Sequence, residues 1–97
     1  MSYFLSAEAE AELAEAMRFY AEQAGRPVAL AFLLEFTRAA ELLASNPGLG
    51  TPTLRERRVF PLRRFPYSLI YRAGADGIRI GAVAHQSRRP GYWRARG

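Results

Sequence analysis

The chain of 97 residues has no cysteine, no lysine, a single histidine and a single tryptophan. Without cysteine there are no disulfides and no thiolate metal sites. One histidine, with only Glu56 and Asp76 as carboxylates beyond residue 54, leaves too few donors for a metal cluster, so no metal or cofactor is expected. The longest apolar run, VALAFLL at 28–34, is far short of the ~20 residues a membrane helix needs. The N-terminal MSYFLSAEAE has no basic stretch before an apolar one and does not read as a secretion signal. A soluble cytoplasmic protein with no membrane contact is expected.

What is present fits one globular domain over residues 1–97. Hydrophobic residues make up 49% and charged residues 24%, which argues against disorder. A chain this short buries somewhat over ~60% of its unfolded surface, so apolar surface covered by a partner would matter. Charge is unevenly spread. Residues 1–54 hold three arginines against seven glutamates, a net of −4; residues 55–97 hold eleven arginines against Glu56 and Asp76, a net of +9, which together give the overall +5. A general preference for arginine accounts for the missing lysine but not for this asymmetry. The asymmetry predicts one strongly positive face, suited to an acidic partner or nucleic acid.

The order of elements follows from local pattern. SYFL at 2–5 reads as a strand. Ser6 is placed as an N-cap, with Glu8 and Glu10 in the first turn. An Ala- and Glu-rich helix then runs over 7–24, with Ala9, Leu13, Ala16, Met17 and Tyr20 as its apolar stripe. Gly25 stops it, and Pro27 suits the first turn of a second helix that reaches about residue 45. Ala29, Phe32, Leu33, Phe36, Ala40 and Leu43 are its core stripe, widened by Leu30, Leu34 and Leu42. The extra width means either a thick core or a face turned towards a partner. NPGLGTPTL at 46–54 is a loop. Strands follow at 58–62, 67–72 and 78–84, the first edge-like or bulged because of Pro61, and the last two joined by a hairpin loop over 73–77. Ile78, Ile80, Ala82 and Ala84 are assigned to one face, and Arg79, Gly81, Val83 and His85 to the other. The expected fold is α+β, β-α-α-β-β-β, an antiparallel sheet with an N-terminal αα-hairpin on one face. The open face would carry Arg72, Arg79 and His85.

NPGLGTP, then RVFPLRRFPYSLIYRA, then GIRIGAVAHQSRRPGYW resemble the ParE branch of the RelE/ParE toxins across nearly the whole chain. No single piece is specific; their order and spacing are. The resemblance implies the same β-α-α-β-β-β fold and the toxic half of a toxin–antitoxin pair. ParE-like members bind DNA gyrase and trap it on cleaved DNA, and a ParD-like antitoxin neutralises them. RelE-like members cut messenger RNA on the ribosome, which is the alternative.

The two branches ask different things of the side chains. A nuclease needs a base, an acid and cations on the phosphate. His85 could serve as base and Arg72, Arg79 or Arg64 as phosphate clamp, with Tyr92 stacking on a base. RelE-like nucleases commonly use lysines here, and this chain has none. The plain reading of His85 is a strand-end residue bonded to nearby backbone. Arg88 and Arg89 are a solvated pair or, beside Pro90, Tyr92 and Trp93, part of a contact surface, since Arg, Tyr and Trp dominate binding hot spots. Trp93 has a second reading, folding back to cap the core. The leading expectation is a gyrase-binding toxin without catalytic residues, touching DNA only through gyrase. Its target-contact residues would be Arg63, Arg64, Arg72, Arg79, His85, Arg88, Arg89, Tyr92 and Trp93. Leu30, Phe32, Leu34 and Phe36 would form the antitoxin surface.

Overall fold

A computed structural model describes residues 2–96. Strand β1 (Ser2–Leu5) leads to helix α1 (Ala7–Ala24) through Ser6, whose hydroxyl accepts the Ala9 N–H at 3.1 Å. Gly25, at φ 93°, ends α1 and opens α2 (Arg26–Ser45), so the two helices are joined by a single residue. Asn46 terminates α2 by donating its backbone N–H to the Leu42 carbonyl. Then come β2 (Thr51–Pro52), one 3-10 turn (Leu54–Glu56), β3 (Arg57–Pro61), β4 (Tyr67–Gly74) and β5 (Gly77–His85). The expected loop at 46–54 thus contains a two-residue strand, and the expected loop at 73–77 tightens to Ala75-Asp76 between the paired Gly74 and Gly77. Among the described residues no helix is long and apolar enough to cross a membrane.

The strands lie in the order β1-β5-β4-β3-β2. The last four pair antiparallel, but β1 runs parallel to β5, so the sheet is mixed rather than purely antiparallel. Hairpin turns dictate the direction of β3, β4 and β5. No hairpin joins β1 to its neighbour, so nothing local sets its direction. Pro61 lies past the short reach of β2, which pairs only with Arg58 and Val59; its missing donor therefore interrupts no ladder.

The main core lies between helices and sheet. Phe32, Phe36, Ala39, Ala40 and Leu43 of α2 and Ala9 and Ala16 of α1 meet Leu69, Tyr71, Ile78, Ile80 and Val83. Alanines at the contact let the helices approach closely. Larger rings then fill one end, where Phe32 sits 5.2 Å from Phe65 and 5.1 Å from Tyr67 between ring centres. Such edge-on aromatic pairs add ~0.5–1.5 kcal/mol beyond area burial.

A β-bulge changes the expected faces. Ile70 pairs with Ala82 but Tyr71 pairs with Ile80, which leaves Gly81 as the extra residue. One inserted residue reverses the alternation beyond it. Ile78 and Ile80 therefore face the helices together with Val83, while Ala82 and Ala84 join a second cluster with Ile70 and Trp93 on the opposite face. Period-two reading along 78–85 could not anticipate this.

Gly77 has φ 138°, and a Cβ there would run into the Ser2 carbonyl of β1. Gly77→Ala is expected to lower unfolding free energy by about 2–3 kcal/mol, read as a lower urea midpoint. Gly48→Ala, whose Cβ would meet nothing within 4 Å, should stay within ~0.5 kcal/mol of the parent.

Candidate functional site

The sheet face away from the helices carries a row of arginines. Register places Arg57 beside Arg72, and Arg72 beside Arg79, across β3, β4 and β5. Phe4 of β1 extends the row, with the Arg79 guanidinium 5.6 Å from its ring centre. Beside the row lies a cavity of about 220 Å³, lined by all three arginines and Arg96 over Ile70 and Trp93, with no carboxylate among the described residues of its lining. Arg57 is 6% exposed. Burial pulls its pKa down, and the charges of Arg72 and Arg55 add to the effect. Arg72 Nε is buried, and no hydrogen-bond partner for it lies among the described residues.

The end of the chain returns across this face as a strap. Past β5 it makes successive turns through residues 86–96, and Trp93, 8% exposed, settles on Ile70, Ala82 and Ala84. Arg57 secures it by donating to the Arg94 carbonyl at 3.2 Å and to the Arg96 carbonyl, with its guanidinium 5.4 Å from the Trp93 ring centre.

Glu12 of α1 fastens the other side. Its carboxylate accepts two bonds from Arg96 (3.0 and 3.1 Å), one from the Tyr92 hydroxyl (2.5 Å) and one from the Val83 N–H (3.0 Å). Strand β1 ends opposite Ile80, so the edge of β5 beyond it has no strand partner. Glu12 takes the Val83 donor there, and Arg96 and Ser6 donate to the Gly81 carbonyl. Burial alone would raise the Glu12 pKa. Hydrogen bonds from Arg96, Tyr92 and Val83 and the Arg96 charge outweigh it, so the carboxyl lies below its ordinary 4.5. Burial and the bond to Glu12 push the Tyr92 hydroxyl up to about 12.

The expected contact residues fall in separate places. Arg72 and Arg79 belong to the row, and Arg57 and Arg96 join them. Arg57 became identifiable only once the β3–β4 register was fixed, and neither Glu12 nor Arg96 carries a local sign of its role. His85 does not share the open face. The bulge turns it towards α1, where it lines a depression with Glu12, Glu15 and Phe19. It pairs with Tyr67, five residues along β4 from Arg72, roughly 16 Å at strand spacing. One phosphodiester cannot engage both. Its Nδ1 accepts the Ser87 N–H at 3.1 Å, and its ring meets Tyr67 edge-on, which matches the plain reading of a strand-end histidine. Trp93 is buried by the strap. The faces of Tyr92 are occupied by Arg88, 3.7 Å from the ring centre, and Arg96 at 5.1 Å, so its ring is not open for base stacking. Arg88 also reaches Glu12 at 3.4 Å, and Arg89 is exposed. Arg63 and Arg64 are exposed in the loop between β3 and β4, at the His85 end of the sheet. On α2, Phe32 and Phe36 are 0% and 2% exposed and belong to the core, so they cannot line a partner surface. Leu30 and Leu34, at 51% and 71%, remain available. No set of three or more His, Asp or Glu side chains suited to a metal occurs among the described residues.

A family model described as the ParE toxin of type II toxin–antitoxin system, parDE, matches residues 3–90. Among solved structures, a chain of a chromosomal ParDE TA system from P. aeruginosa superposes with a TM-score of 0.75 at 24% identity, covering 88% of this chain and 95% of that one. No curated protein matches.

Glu12→Gln is expected to loosen the strap and cost about 2–3 kcal/mol, as for a lost charged hydrogen-bond network. Because the folded-state carboxyl lies below 4.5, its stabilisation is complete above that pH and is lost as pH falls through the lowered value. Thermal melts from pH 7 to 3 should therefore show the gap between wild type and Glu12→Gln closing on acidification.

Proposed function

Since the chain belongs to the ParE toxin family of type II toxin–antitoxin systems, we propose that it inhibits DNA gyrase by binding and is held inactive by a ParD-like antitoxin. The observation that carries this reading is the gathering of Arg57, Arg72, Arg79 and Arg96 on one sheet face. A poison of this sort moves no proton. It binds one state of the target better than the others and so shifts the population. A positive face helps where the target already holds DNA, because phosphate charge raises both encounter rate and affinity. DNA is touched only through the gyrase complex. Arg63, Arg64 and Arg89 supply further exposed charge towards the His85 end of the sheet, and Tyr92 contacts Arg96. Leu30 and Leu34 are the part of α2 left for the antitoxin. Gyrase works in the cytoplasm, and so would this protein.

For a ribonuclease of the RelE kind, which needs a base next to a phosphate clamp, the pairing of His85 with Arg72 is not favoured, because the two are apart along the strand and across the sheet.

The test is a plasmid-cleavage assay with purified protein, gyrase and supercoiled DNA, run beside translating ribosomes. Cleaved plasmid should accumulate. Arg79→Ala combined with Arg89→Ala should raise the concentration needed by at least ~10-fold, the effect of about 1.4 kcal/mol, while His85→Ala stays within about twofold. Codon-phased RNA cuts that disappear in His85→Ala would overturn the reading. Inactivity in both assays would leave an antitoxin-binding module without toxicity.

A further inference from the structure

We propose that the arginine pairs at the His85 end of the sheet, Arg63-Arg64 and Arg88-Arg89, form a contact site for the phosphate backbone of duplex DNA. The proposal rests on the gyrase reading and deepens it, by naming the groups that meet the DNA held in that complex. The two pairs are distant in sequence, and the fold brings them together. Tyr67 pairs with His85, so the β3–β4 loop and the turn after β5 leave the sheet side by side. The Gln86 N–H donates to the Pro66 carbonyl at 2.8 Å and ties the two segments to each other. In the first, Glu35 accepts the Arg63 N–H at 2.7 Å. Arg64 follows in the left-handed region at φ 70°, its guanidinium 5.6 Å from the Phe65 ring centre. A non-glycine residue held there has its conformation imposed by its surroundings. In the second, the Arg88 N–H closes a turn onto the His85 carbonyl at 3.0 Å. All four arginines are exposed.

Their charges are not equally available. Glu12 reaches Arg88 at 3.4 Å. The Arg63 charge acts on Glu35, whose carboxylate is already held by two 2.7 Å bonds from Arg38. Arg64 and Arg89 make no ion pair among the described residues, so they are the centre of the site. What surrounds them decides the kind of partner. The exposed neighbours are Pro61, Pro66, Gln86, Ser87 and Pro90, and neither segment exposes a large hydrophobic side chain. A protein partner would draw its affinity from aromatic and apolar anchors. A single strand would need open rings on which bases stack, and the Tyr92 ring is taken by Arg88 and Arg96. A duplex backbone needs only cations and hydrogen-bond donors, and a guanidinium meets phosphate with two parallel bonds. With two or three phosphates neutralised, log K falls against log salt with a slope of roughly −2 to −3. Binding of that kind is weak at physiological salt, so DNA is met where gyrase already holds it.

The full chain is titrated into a fluorescent duplex of about 20 base pairs at about 20–150 mM salt, without gyrase, and read by anisotropy. Arg64→Gln with Arg89→Gln should flatten the slope by about 2 and weaken binding at least ~10-fold at the lowest salt. Arg55→Gln with Arg94→Gln removes the same charge from exposed positions near Arg57, and should stay within about twofold of wild type. Arg64→Lys with Arg89→Lys keeps the charge and should keep the slope. If the paired glutamine variant does not fold, amide shifts of the wild-type protein with DNA decide, and they should fall at residues 62–66 and 86–89. An unchanged slope in Arg64→Gln with Arg89→Gln, or an equal loss in Arg55→Gln with Arg94→Gln, would overturn the proposal. So would amide shifts centred on residues 57, 72 and 79, or tighter binding of a single strand or of poly-glutamate. Gyrase takes no part in the titration, so DNA binding by a protein inert towards gyrase would sink the earlier reading alone.

Discussion

The carboxylate of Glu12 is the point on which the arrangement of the C-terminal half of the molecule depends. It lies on the first helix, and the groups it binds come from the far end of the chain, up to 84 residues away. Five hydrogen bonds from four residues meet at its two oxygens: two from Arg96 and one each from Tyr92, Val83 and, more loosely, Arg88. A carboxylate can accept about four good hydrogen bonds, so Glu12 is saturated and holds its charge. It does two jobs with that charge. It closes the edge of β5 where β1 has run out, and it anchors a strap that would otherwise be a loose, strongly basic tail. The acidic first half and the basic second half of the sequence thus meet at a particular pair of oxygens.

Once anchored, the strap changes what the arginines can do. Arg96 is neutralised by Glu12, and Arg57 is occupied with strap carbonyls and the Trp93 ring. Arg72 and Arg79 have no acidic neighbour among the described residues that line the cavity. Like charges held close oppose the compact state, and the fold tolerates them because the strap is secured elsewhere. His85 turns to the other side of the sheet from Arg72 and Arg79.

Much of the fold was legible in local pattern. The Ser6 cap, the Gly25 break and Pro27 at the start of α2 all stand where side-chain chemistry puts them. The apolar stripe of α2 was also legible, but its width misled: Phe32 and Phe36 pack inward, and only Leu30 and Leu34 face outward. The site was legible in part. That arginines would gather on a face was expected from charge asymmetry, and Arg72 and Arg79 were assigned to the open face by strand alternation, where they do lie. Arg57, Arg96 and Glu12 were not found. Their roles come from contacts across the sheet and across the chain, and nothing near them in sequence differs from an ordinary solvated charge.

By itself the sequence determined the elements, their order, the absence of thiol chemistry and the sign of the surface in each half, because these depend on residue type and short-range spacing. Only the tertiary structure decided which face each residue of β5 presents, and that Trp93 packs on Ile70, Ala82 and Ala84. The physical reason is the bulge at Gly81. One unpaired residue reverses the alternation of everything beyond it, and its position is set by how two strands meet, which no single strand records.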